Sequence, residues 1–172
     1  MNTVTRALLV LLIFLPLFAS ATTCEEATLV EALPYDEDLT HTGNNDITSA
    51  NASVCGNASS LYLGGNEALL RYTADFTGEL NIEYSGQTWT GLLVYAGCPT
   101  SGGTCLDGIG NSLSSKSLQV NVEAGQEYFI LIDTWPEPPS PIPGVIRIEG
   151  TAQDPVFDDR FETIPEPFAT PL

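Results

Sequence analysis

The chain has 172 residues, 22 acids against 5 Lys and Arg, and a formal net charge of −17. Such a balance excludes nucleic acid and anionic membrane surfaces as favoured partners, because both are held by clustered cations. With 4 Cys, 1 His and no CxxC pair, a zinc site, the rival use of the cysteines, is disfavoured, since structural zinc sites use closely spaced Cys and His donors.

The N-terminus reads as an export leader. Arg6 supplies a positive start, and Ala7 to Phe18 is an almost wholly apolar run of 12 residues. That is too short for an ordinary membrane span, which takes about 20 residues, so no transmembrane anchor is expected. Ala19-Ser20-Ala21 has the small-x-small pattern of a signal-peptidase site and predicts cleavage near Ala21-Thr22. Lipidation at Cys24 is disfavoured, because Thr22 and Thr23 stand where small Ala or Gly is expected. The resulting division is a signal peptide over 1–21, a β-domain over 22–151 and a short, disordered, acidic and proline-rich tail over 152–172. The location is secreted, periplasmic or cell-surface.

Export places Cys24, Cys55, Cys98 and Cys105 in an oxidising compartment, where an even number of cysteines forms disulfides. Three connectivities exist. The loop between Cys98 and Cys105 is rich in Pro, Gly, Ser and Thr and can turn back, so Cys98–Cys105 and Cys24–Cys55 are the expected pairs.

Along the mature chain, Ala27 to Val30 is a short apolar run, compatible with a strand or a helical turn. Pro34 to Asn57 is polar and reads as loop with one short strand; it holds the glycosylation sequons at Asn51 and Asn57. From Ala68, Leu70, Tyr72, Ala74 and Phe76 alternate with polar residues. Thr77-Gly78 turns, and Leu80, Ile82 and Tyr84 alternate again, which predicts a hairpin. Trp89 to Tyr95 is the next strand, and Asp107 to Ser117 reads as an aperiodic connection. Leu118 to Val122 and Tyr128 to Ile132 are then expected to form a second hairpin around Ala124-Gly125-Gln126. Tyr128 to Ile132 has no polar face, so this strand should be central and covered on both sides. Five prolines between Pro136 and Pro143 predict a stiff, exposed loop before a last strand at Val145–Glu149. Six to nine short strands without an amphipathic helix make an all-β, antiparallel sandwich of jelly-roll type.

Chemistry-bearing residues are few. His41 stands alone in a polar loop, with no GxSxG elbow to pair with. Leu131-Ile132-Asp133-Thr134 is like one half of an aspartic-protease signature, but Trp135 replaces the Gly and no second copy exists. Asp133 is therefore read as a strand-end residue. Asp36 to Asp38 and Asn44 to Asp46 offer oxygen ligands for calcium without EF-hand spacing. Trp89, Trp135, Tyr62 and Tyr95 are candidates for an aromatic ligand platform. Trp89 is expected in the core or at a sheet edge, and Trp135 at the surface.

Several segments together resemble the bacterial pre-peptidase C-terminal domain family. They are Cys24, Thr42 to Asp46, Ala68 to Gly78 with Leu80 and Ile82, Leu92 to Cys98, and Val122 to Asp133. The resemblance implies a jelly-roll-like secreted sandwich with a non-catalytic, ancillary role, and calcium at Asn45 and Asp46 as a stabilising ligand. No catalytic domain precedes the module, in contrast to the usual arrangement of that family. Val156 to Glu162 is also similar to a short terminal motif of exported gammaproteobacterial proteins, with Arg160 in place of Gly. The reading is a non-enzymatic module with no required cofactor that binds an extracellular polysaccharide, protein or envelope component. The alternatives are an envelope-associated protein whose tail acts in sorting or retention and, last, a small hydrolase.

Overall fold

Alternation of apolar and polar side chains decides which faces meet. The computed structural model describes residues 23–39, 43, 45–135 and 142–153. The expected leader, His41 and Asn44, Pro136–Pro141 and the tail from Asp154 lie outside them. Nine strands occur among the described residues: β1 (Thr28–Val30), β2 (Tyr35–Leu39), β3 (Glu67–Thr73), β4 (Gly78–Gly86), β5 (Thr90–Ala96), β6 (Thr104–Asn111), β7 (Ser115–Val122), β8 (Glu127–Thr134) and β9 (Gly144–Ala152). They form two packed sheets, β1-β3-β8-β5-β6 and β2-β9-β4-β7. Every pairing is antiparallel except β1 with β3. The all-β sandwich read from the sequence is the fold.

Both expected hairpins are instead arches. β3 and β4 lie in different sheets, as do β7 and β8. β7 pairs with β4, placing Leu118 opposite Ile82, and β8 sits between β3 and β5. Alternation specifies only that two strands share a core. An arch satisfies that as well as a hairpin, because both strands still point their apolar side chains inward.

The core between the sheets takes Leu70 and Tyr72 from β3, Leu92 and Val94 from β5 and Ile130 and Ile132 from β8. These face Leu80 and Ile82 of β4, Leu118 and Val120 of β7 and Ile146 and Ile148 of β9. The outer face of the five-stranded sheet is covered too. Leu69, Leu93, Phe129 and Leu131 pack there beneath Ile47 and Leu63. This second layer explains why β8 reads as an unbroken apolar run: it is central and covered on both sides, as expected.

β6 was not legible as a strand, because Gly108 and Gly110 interrupt its pattern. The covering segment explains both glycines. A Cβ on Gly110 would run into the Tyr62 ring, and one on Gly108 would come within 2.8 Å of the Cys55 carbonyl oxygen. Gly91, opposite Gly110, completes the slot for Tyr62.

Two disulfides fasten this layer, with pairing different from that expected: Cys24–Cys98 and Cys55–Cys105. The β5–β6 hairpin places Cys105 opposite Tyr95, not opposite Cys98. The tight turn at Pro99–Ser101 leaves Cys98 beyond the end of the ladder. Cys98 therefore meets the N-terminal segment, while Cys105 meets the covering loop. Two disulfides fit an oxidising, extracytoplasmic compartment.

Candidate functional site

One end of the sandwich carries the exposed aromatic groups. β4 ends at Gly86, and Gln87 to Trp89 cross directly to β5 in the other sheet. Trp89 is 45% exposed, which corrects its expected place in the core or at a sheet edge. Its φ is +55°, a left-handed conformation that is unusual for a bulky residue. The alternative, an extended Trp89, would carry the crossing chain in a different direction. Strain of this kind persists only where the surroundings over-determine it, and those surroundings are visible. The Gln87 N–H donates to the Tyr84 hydroxyl at 2.7 Å, and that hydroxyl donates to the Pro143 carbonyl at 3.2 Å. Thr90 Oγ1 donates to the Gln87 carbonyl at 3.1 Å. Trp135 follows β8, and its N–H donates to the Trp89 carbonyl at 2.8 Å. The two indoles lie with centroids 5.0 Å apart, tilted by 47°. Trp135, the expected ligand-binding residue, is half-buried and packs beside the exposed Trp89. Trp89 and Trp135 were both candidates for a platform, but with 46 positions between them the sequence does not show that they meet. Tyr62 and Tyr95 do not join them; both are buried.

A polar cluster is buried at the same end of the five-stranded sheet, under the covering loop. Glu67 and Asp133 stand directly opposite each other on β3 and β8, both inaccessible to solvent. The Asn45 and Asp46 N–H groups donate to the two Glu67 oxygens, each at 2.8 Å. Asn45 has φ +58°, which helps aim consecutive amides at one anion. The Gly65 N–H donates to Asp133 Oδ1 at 3.1 Å, and the Asn66 N–H to Thr134 Oγ1 at 3.0 Å. Burial pushes the Asp133 carboxyl up to about 8; the Gly65 N–H opposes this and the Glu67 charge adds to it. Glu67 was not singled out from the sequence. Its only signal was an acid beginning the otherwise apolar stretch Ala68-Leu69-Leu70.

The fit of this region to calcium is partial. Among the described residues, Asn45 Oδ1 and Asp133 Oδ2 are buried without hydrogen-bond partners. However, Asn45 and Asp46 present N–H groups, not oxygens, to Glu67. Among the described residues no three His, Cys, Asp or Glu side chains are placed to hold one metal ion. A catalytic use of the carboxylate pair would require substrate to reach side chains that water does not.

No family model and no curated protein matches the chain. Among solved structures, the chain is similar to PliG of Aeromonas hydrophila, a periplasmic inhibitor of g-type lysozyme. Identity is 10%, coverage is 72% of this chain and 94% of that one, and the TM-score is 0.48. It is also similar to a Podospora anserina GH26-CBM35 β-(1,4)-mannanase at 16% identity and a TM-score of 0.35, covering 72% of this chain and 29% of that one. Likenesses this distant carry no functional statement.

Proposed function

We propose that this protein is a secreted, non-catalytic binding module that takes an extracellular polysaccharide on the Trp89–Trp135 pair. The observation that carries the reading is the exposed Trp89, held at φ +55° against Trp135. An indole exposed at the cost of backbone strain has a use at the surface, and Trp offers a flat apolar face with one N–H at its edge. The C–H faces of sugar rings suit such a platform. Acidic composition supports a neutral or nearly neutral chain over a polyanion. The inaccessibility of Glu67 and Asp133 supports binding over hydrolysis.

Affinity electrophoresis against a panel of neutral polysaccharides tests this. At least one polymer should retard the mature protein, and Trp89→Ala or Trp135→Ala should weaken that retardation at least tenfold, about 1.4 kcal/mol. Retardation unchanged in both variants, or no retardation by any polymer, contradicts the reading. Calcium, implied by the resemblance, is tested separately by thermal unfolding with calcium and with chelator. A ligand held by the folded state alone raises the midpoint by mass action, so a calcium-dependent midpoint reports a site and equal midpoints dismiss it.

A further inference from the structure

Among the described residues each sheet has two edge strands, β1 and β6 in one and β2 and β7 in the other. An edge presents unpaired backbone N–H and C=O groups to whatever lies beside it, and proteins normally blunt it. Three of these edges are blunted. β1 is three residues long. β2 carries Asp36, Glu37 and Asp38 in succession. β6 has a register shift against β5 at Val94/Tyr95, and the covering segment sits on it, with the Asn57 N–H donating to the Gly108 carbonyl at 2.6 Å. β7 is different. It runs eight residues in unbroken register with β4, and its exposed side chains, Ser115, Ser117, Gln119 and Asn121, are all uncharged. Its one charge, Lys116, points inward and is 4% exposed, with Nζ donating to the Leu113 carbonyl at 2.6 Å. A strand added at the edge would take little further water from it.

The phase of the β4–β7 ladder fixes which backbone groups face the free side. The Gly86 N–H donates to the Ser114 carbonyl at 2.7 Å, so by alternation Tyr84–Lys116, Ile82–Leu118 and Leu80–Val120 are the hydrogen-bonded pairs. The β4–β9 ladder has the complementary phase: the Gln87 N–H donates to the Pro143 carbonyl and the Gln153 N–H to the Thr77 carbonyl. The backbone groups of Ser115, Ser117, Gln119 and Asn121 therefore point away from β4, to the side where no described strand pairs with β7. Open space lies there. A cavity of about 410 Å3 is lined by residues 117–119 of β7, residues 107–109 of β6 and Asn57. Consecutive residues on each strand line it, so it borders the strand edges, not one face of a sheet. Acids surround this edge. Glu83 and Glu79 stand opposite Ser117 and Asn121, and Asp107 lines the cavity. Arg147, on the far side of Glu83, is engaged by Asp36 at 2.7 Å.

We propose that the free edge of β7 is a docking site for an extended, cationic segment of another protein, which joins the four-stranded sheet as a further strand. Main-chain hydrogen bonds to Ser115, Ser117, Gln119 and Asn121 hold it, and Lys or Arg side chains at alternate positions meet Glu79 and Glu83. The formal net charge of −17 favours a cationic partner over an acidic one. A second copy of this chain is less suited, because two β7 strands side by side would bring Glu79 and Glu83 of both copies onto one sheet face. Trp89 and Trp135 take no part in this contact.

Fluorescence anisotropy tests this, with a labelled, alternating Lys–Val peptide of the length of β7 titrated with the mature protein at physiological salt. The peptide should bind saturably. Its Glu–Val counterpart, and the Lys–Val peptide N-methylated throughout, should bind more weakly by about tenfold or more. Gln119→Pro removes a donor from the middle of the free edge without touching the β4 ladder, a position where an edge strand tolerates proline. It should weaken binding by a similar factor, while Gln119→Thr retains binding and Trp89→Ala leaves it unchanged. If Gln119→Pro does not fold, Ser117→Lys replaces it and should weaken binding by placing a like charge beside the incoming cations. Equal binding of the N-methylated peptide means general attraction to an acidic protein and overturns the proposal. Equal binding of the Glu–Val peptide, no binding of the Lys–Val peptide, or binding that neither variant alters overturns it too. A wild-type dimer in sedimentation equilibrium that Gln119→Pro dissociates would assign the edge to a second copy and likewise overturn it.

Discussion

Asp133 ends an apolar strand, and burial holds its proton close to neutral pH. Its carboxyl is raised to about 8 from the ordinary carboxylate value, chiefly by desolvation. Between about pH 4 and 8 the folded chain therefore keeps a proton that the unfolded chain has released. The associated stability is complete below the unfolded value and is lost as pH rises through about 8. Glu67 opposite, the Tyr95 phenol, itself raised by burial and by the Asp133 charge, and the Gly65 N–H are the groups that face it. Chemical denaturation at pH 5 and pH 8 should show wild-type stability falling by about 2–4 kcal/mol. Asp133→Asn, which keeps an acceptor for Gly65, should largely flatten that dependence; an equal slope in the variant would place the titration elsewhere. Trp89 makes a complementary prediction. Trp89→Gly relieves the left-handed strain of about 1 kcal/mol while losing an aromatic contact of about the same size. Stability should stay within about 1 kcal/mol of wild type, and ligand binding should disappear.

At the scale of elements, most strands were legible from alternation, because the inward side chains of β3, β4 and β7 are mostly apolar and their outward neighbours mostly polar. Strand partnership was not legible, since period-2 alternation is the same in an arch and in a hairpin. β6 was hidden for a different reason: Gly108 and Gly110 are selected by the close approach of the segment around Cys55 and Tyr62, a contact between residues roughly 50 positions apart. The same contact hid the disulfide pairing. Of the candidate site, Trp135 could be named from its place before the prolines, whereas Trp89 and Glu67 needed the fold to bring in their partners. Stability should reflect this layer. Gly91→Ala brings a methyl within 2.7 Å of Tyr62 Cβ and should cost about 1–3 kcal/mol in urea unfolding. Cys55→Ser with Cys105→Ser opens a loop of 50 residues and should cost about 2–4 kcal/mol. A variant as stable as wild type in either case would mean that the covering layer is not closely held.

For the whole molecule, the proposed binding reading places the site at one end of the sandwich, where the Trp89–Trp135 pair lies. The central strands have no side chains to spare, because β5 and β8 are buried on both faces. Connections between the sheets carry what is exposed and strained, and the crossing from β4 to β5 does so most clearly through Trp89. Strong negative charge keeps polyanions away and leaves neutral surfaces available to the aromatic pair. The chain holds two Trp residues, and both belong to this pair, so tryptophan emission, excited beyond the tyrosine absorption band, reports the site. Titration of the mature protein with a retained neutral polysaccharide should give a saturable change in tryptophan emission, abolished for the remaining indole in Trp89→Gly. Saturable binding detected by calorimetry with no change in emission would place the ligand elsewhere and contradict the account.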